Sequence, residues 1–169
     1  VACETAIQQG RNDPAMWLTA GYSAYQQQDF PAVIRYLSMI ASDLPENHAG
    51  LRMLADAQLR EGQSDQATAI LNRISGDAQT DATLFSAAGY QLVKEGKLKD
   101  ARNMIDRSSV SSTTAEDLAR LGVLQLSVND LDGLVTLEDA MGKSDDNPNV
   151  RRVLVQGYLY GGQLDKAND

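Results

Sequence analysis

Cysteine, histidine and tryptophan occur once each, as Cys3, His48 and Trp17. A single cysteine forms no internal disulfide, and one cysteine with one histidine falls short of the ligand set a zinc site takes. Nucleophilic catalysis needs a nucleophile in contact with its base. Cys3 and His48 fall in different parts of a repeating chain and do not meet that need. Aromatic residues are 5% of the chain against 43% hydrophobic overall, so the core must be packed by Leu and Ala. No apolar run approaches the roughly 18 residues of a membrane-spanning helix. Positive charge is also scarce: 15 Lys and Arg stand against 23 Asp and Glu, a net charge of -8. That balance opposes the phosphate neutralisation behind non-specific nucleic-acid binding. The composition therefore points to no enzyme, no cofactor, no metal and no nucleic acid.

Two fragments resemble functional loops and fail on spacing. Gly142-Lys143-Ser144 matches the end of a phosphate-binding loop, but the required earlier glycine falls on Leu137, and no strand precedes it. Asp130 and Asp132 before Gly133 resemble part of a calcium loop whose first ligand would be Val128, which has no side-chain oxygen.

What the chain does contain is a repeat. With Pro14 as position one, Trp17, Ala20, Gly21 and Ala24 stand at four, seven, eight and eleven; Val33, Leu37 and Ile40 stand at twenty, twenty-four and twenty-seven. His48 starts the next unit thirty-four residues on, with Leu51, Leu54, Ala55, Ala67, Leu71 and Ile74 in equivalent places. Units from Ala82, Ala115 and Pro148 repeat the pattern with Phe85, Ala88, Leu92 and Ile105, then Leu118, Leu121 and Leu134, then Leu154 and Tyr158. The early positions line one face of a helix and the late ones a face of a second, so each unit reads as two helices packed on their apolar stripes. Gly62, Gly96 and Gly162 at position fifteen end the first helix where a left-handed residue is needed. Asp13-Pro14 and Asn147-Pro148 read as helix starts, and Thr113 with Glu116 as a capping box.

The period and the phrases EGQSDQA, EGKLKDA and GGQLDKA resemble the tetratricopeptide repeat (TPR). The resemblance implies an all-α fold, an α-α superhelix or TPR solenoid of tandem helix-turn-helix repeats. The expected division is 1–13 as the tail of a preceding helix, then repeats over 14–47, 48–81, 82–114 and 115–147, and a truncated one over 148–169. The last fifty residues are also similar in phrasing to the bacterial TPR lipoproteins of exosortase and exopolysaccharide (PEP-CTERM) systems. That likeness implies a periplasmic or cell-envelope location and partners in polymer export or protein sorting.

In such arrays positions two, five, six, nine, twelve and thirteen of each unit face a concave groove. Carried over, they give Tyr22, Tyr25, Arg52, Met53, Asp56, Arg60, Tyr90, Lys94, Arg120, Arg152 and Gln156, with Ser86, Glu116, Val123, Leu126 and Tyr160 beside them. Basic residues outnumber acidic ones here although the chain is acidic, which implies an acidic or extended peptide partner held by Arg donors and Tyr or Met contacts. A structural spacer or self-association segment of a larger enzyme or outer-membrane assembly is the alternative. The carboxylate clamp of chaperone-binding relatives fits poorly, because Arg52, Asp56, Ala87, Glu116 and Arg120 depart from it at most places.

Three local expectations complete the reading. Val1 to Gly10 continues the register as the tail of a helix, with Cys3 at position twenty-four; the other reading makes Cys3 the lipidated residue of a lipoprotein signal. RSSVSSTT, 107–114, is an inter-repeat join rather than a flexible linker. Gly133 inside a second helix costs about 1 kcal/mol relative to Ala and marks the fourth unit as the weakest. Both ends cut through a unit, so the natural protein is expected to continue past them.

Overall fold

A computed structural model describes residues 13–76, 79–143, 148–160 and 162. The readings placed on Val1 to Gly10, on the Asn147 cap and on the Tyr160 side chain lie outside what it describes. Among the described residues there are nine α-helices and no strand: α1 (Pro14–Gln26), α2 (Phe30–Leu37), α3 (Ala49–Arg60), α4 (Ser64–Leu71), α5 (Gln79–Lys94), α6 (Leu98–Ser111), α7 (Ala115–Ser127), α8 (Asp132–Lys143) and α9 (Pro148–Tyr160). The fold class is that expected, all-α and of the α-α superhelix type.

The chain forms two compact units that meet in sequence at Ser75 and Gly76. In unit 1, α1 packs on α2 and α3 on α4, with α3 also against α1 and α2. In unit 2, α5 pairs with α6 and α7 with α8, while α7 touches α5 and α9, and α9 touches α8. The join is not where the Ser/Thr-rich stretch lies. Arg107 to Ser111 is the last part of α6, and its buried Ser108 donates to the Ala82 carbonyl at 3.1 Å and shares a 2.7 Å hydrogen bond with Ser86. Residues 107–111 are thus helix packed on α5, and 112–114 join that helix to α7.

Helix starts follow the capping side chains. Asp13 accepts from the Ala15 amide at 3.0 Å and Asp29 from the Ala32 amide at 3.1 Å. The capping box sits one residue later than expected: Thr114, not Thr113, accepts from the Asp117 amide at 3.1 Å, and its hydroxyl donates to Asp117 Oδ2 at 2.7 Å. Thr114 has the extended backbone a cap requires. Asp117 in turn is buried and joined to Arg120, which fixes the register of the box.

The corners between paired helices share one design. Gln28, Gly62, Gly96 and Asn129 there, and Gly162 after α9, have φ between 58° and 73°. At the first four, the amide of the next residue reaches back to a helix carbonyl: Asp29 to Ala24, Gln63 to Gln58, Lys97 to Leu92 and Asp130 to Gln125, at 2.7 to 3.0 Å. These are Schellman corners. Three glycines were legible as corner residues; Asn129 and Gln28 serve at the same place.

The cores are aliphatic. In unit 1, Val33, Leu37, Ile40, Leu51, Leu54, Leu71 and Ile74 are buried. Ile40 and Ile74 lie beyond the ends of α2 and α4, in turns that keep them inward. Arg73 ties the two hairpins together, donating to the Ala41 and Leu44 carbonyls. In unit 2, Phe85, Leu92, Met104, Ile105, Leu121 and Leu137 are buried, each contributing about 1.5–3 kcal/mol. Trp17, Leu118 and Leu154, read as core, are only half-buried. Gly133 has a packing role: a Cβ there would sit 2.5 Å from the Gly122 carbonyl oxygen. The residue that weakens α8 by propensity is the one that lets α8 lie against α7.

Candidate functional site

Each unit presents a face made by its first helices. In unit 1 that face belongs to α1 and α3, and its polar residues bind one another. The Tyr25 hydroxyl donates to Asp56 Oδ2 at 2.8 Å, and Arg60 Nε donates to the same oxygen at 3.0 Å. The Arg60 guanidinium also lies 4.8 Å from the centre of the Phe30 ring, which meets Tyr25 edge-on at 6.3 Å. Burial, then the hydrogen bond to Asp56 and the Asp56 charge, raise the Tyr25 pKa above the usual phenol value, with Arg60 pulling against them. Arg52 Nη1 donates to the Asn47 carbonyl at 2.5 Å. Met53 is half-buried, and Tyr22 is exposed.

In unit 2 the corresponding face contains a hollow of about 690 Å³ over three first helices. Thr83, Ser86, Ala87 and Tyr90 come from α5, Glu116, Ala119, Arg120, Val123 and Leu124 from α7, and Asn149, Val150 and Val153 from α9. Arg120 is held at its edge, donating to Asp117 Oδ1 at 3.2 Å and to Thr83 Oγ1 at 3.3 Å. Tyr90 is exposed, with Lys94 Nζ 5.5 Å from its ring centre. A smaller hollow of about 260 Å³ shares Val123 and Val153 and adds Leu126, Ser127, Gln156 and Gly157.

Of the residues expected in unit 2's groove, Ser86, Tyr90, Glu116, Arg120 and Val123 line the larger hollow, and Val123, Leu126 and Gln156 the smaller; Lys94 and Arg152 are exposed on α5 and α9 and line neither. Sequence reasoning passed over Thr83, Ala87, Ala119, Asn149 and Val153. They stand at positions two, five and six, which the repeat register itself assigns to this face. The selection favoured long polar side chains, whereas small ones leave the space.

Other candidates have structural roles. His48 caps α3, its Nδ1 accepting from the Gly50 amide at 3.0 Å. Asp130 Oδ1 accepts from the Asp132 amide at 3.1 Å at the start of α8, and Val128, the missing calcium ligand, is buried. Tyr158 donates to Glu138 at 2.7 Å, and burial followed by that bond pushes its pKa up to about 12. Among the described residues no group of three or more His, Cys, Asp or Glu could hold a metal ion, and no helix is long and apolar enough to cross a membrane.

Paired helices joined by left-handed corners, with an open face of first helices, define a helical-repeat protein. Residues 24–88 match the tetratricopeptide repeat family model. Solved structures agree over most of the chain. A crystal structure of MamA protein superposes with a TM-score of 0.71 at 16% identity, covering 91% of this chain and 85% of that one. A second MamA crystal structure gives 0.67 at 18% identity and 87% of each chain. A kinesin light chain candidate from Podosopora anserina with nearly identical TPR-like repeats gives 0.62 at 13%, covering 93% and 92%. At these identities the likeness is one of fold. No curated protein is significantly similar in sequence.

Proposed function

We propose that the chain is a non-catalytic repeat scaffold that binds a protein partner along the face of its first helices. The observation that carries this reading is the 690 Å³ hollow over α5, α7 and α9. Its size falls in the range of ligand sites, about 300–1,000 Å³, and Tyr90 and Arg120 at its edge are of the types that dominate binding energies. The matched repeat model over 24–88 supports an interaction repeat in general terms. The proposed units are 14–47, 48–81, 82–114, 115–147 and a partial one from 148. The finer setting proposed is a bacterial envelope protein serving polymer export or protein sorting; its support is the phrasing of the last fifty residues.

A second reading, a spacer or self-associating segment, draws on unit 1, where Tyr25, Asp56 and Arg60 already satisfy one another. The two readings separate by site-specific photo-crosslinking in extracts of the source organism. A crosslinkable residue at Val123 should trap a partner that the same residue at Val135, exposed on α8, does not. Trapping from Val135 alone, or only of a second copy of the chain, would favour the spacer.

A further inference from the structure

Resting on the scaffold reading, we propose that the unit 2 hollows take the apolar side chains of an acidic peptide segment. The walls of the larger hollow are mostly carbon, supplied by Ala87, Ala119, Leu124, Val150 and Val153. Of its polar wall groups, Ser86 is engaged with Ser108 and Thr83 with Arg120, while Tyr90, Glu116, Arg120 and Asn149 are exposed at the rim. A polar group entering the hollow would give up water without gaining a bond there, so what enters is apolar.

The form of the ligand follows from the second hollow. It adjoins the first through Val123 and Val153 and is lined further by Gln156. Two successive hollows with a shared wall suit side chains spaced along a peptide better than one compact molecule. Gln156, exposed beside the second, offers both an amide donor and an acceptor to a peptide main chain.

The charge of the segment follows from the edges. Lys94, Arg120 and Arg152 are exposed on the three first helices, while Glu116 is the exposed acid lining the hollow. Asp117 is buried and committed to Thr114 and Arg120. On a chain of net charge -8 this face has a local excess of cations. Carboxylates flanking the apolar side chains complement it, and the bonds of Arg120 to Thr83 and Asp117 engage two of the five N–H donors a guanidinium offers.

The test is selection of random peptides displayed on phage against the immobilised full chain, followed by fluorescence anisotropy of the peptides obtained. The expected sequences carry Leu, Ile, Val or Met flanked by Asp or Glu. Val123→Asp, at a partly exposed wall position, should weaken their binding at least about tenfold, with helicity unchanged by circular dichroism. Lys94→Gln should weaken binding a few-fold and flatten its salt dependence. Peptides flanked by Lys or Arg, or binding indifferent to Val123→Asp but lost in Arg52→Glu, would overturn this proposal and leave the scaffold reading standing. A folded protein that selects no peptide at all would overturn both.

Discussion

In unit 1 the face of α1 and α3 is closed by its own side chains, with Tyr25 and Arg60 both bonded to Asp56. In unit 2, positions five and six, held by Arg52 and Met53 in unit 1, include Ala87, Ala119 and Val153, position nine, held by Asp56, includes Val123, and a hollow stands over them. The helix pairing is the same in both. Register therefore sets the direction of a side chain, and side-chain size decides whether the face is filled. A polar side chain pointing into a groove is as able to close it as to serve it.

The largest expected effects lie in how each unit brings its paired helices together. At Gly133 an added Cβ meets backbone, the Gly122 carbonyl oxygen, whereas at Gly21 it meets the end of the Leu37 side chain. Gly133→Ala should cost about 1–3 kcal/mol in urea denaturation, and Gly21→Ala less, because a leucine can turn aside and a carbonyl cannot. Equal losses would mean that Leu37 is as fixed as backbone.

Next comes the polar network. Asp56→Ala strips the acceptor from both Tyr25 and Arg60 and should destabilise by about 1–2 kcal/mol. Arg120→Ala, at the open edge of the unit 2 hollow, should stay within about 1 kcal/mol, as exposed ion pairs do. Thermal melts showing the reverse order would break the contrast between a closed face and an open one.

Smaller still is the cap on α3. His48→Ala removes the acceptor for the Gly50 amide and should cost about 1 kcal/mol, while His48→Asn should restore most of it, since Asn is a strong cap; equal melting of the two variants would deny His48 that role.

The last effect appears only in alkali. The folded-state pKa of Tyr158 is raised to about 12 from an unfolded value of 10.0. The neutral phenol is thus favoured by the fold, so its contribution is complete below pH 10 and is lost as pH rises toward 12. Ultraviolet titration of the phenols should show late-ionising tyrosines, one of which disappears in Tyr158→Phe while Tyr25 remains.

Most of the fold was legible because a solenoid writes its core at fixed intervals. Leu51, Leu54, Leu71, Phe85, Leu92 and Leu121 are buried where the period puts them. Capping was less legible, since Thr113 with Glu116 and Thr114 with Asp117 satisfy the same pattern and only the burial of Asp117 chooses between them. The division at Ser75 and Gly76 left no mark in the period. His48 was invisible as a cap because histidine is an uncommon choice there. The hollow was hardest to read, being made by residues too small to draw notice, such as Ala87 and Ala119.

The corners carry a consequence for how such a chain can change over time. Each is held by main-chain hydrogen bonds closing on a left-handed residue, and Gln28 occupies that place as Gly62 does. Main-chain bonds are indifferent to the side chains around them, so substitution can proceed through a corner without altering the path of the chain. Geometry of this kind outlasts sequence, which is why structures sharing 13–18% of their residues with this chain still superpose along most of its length.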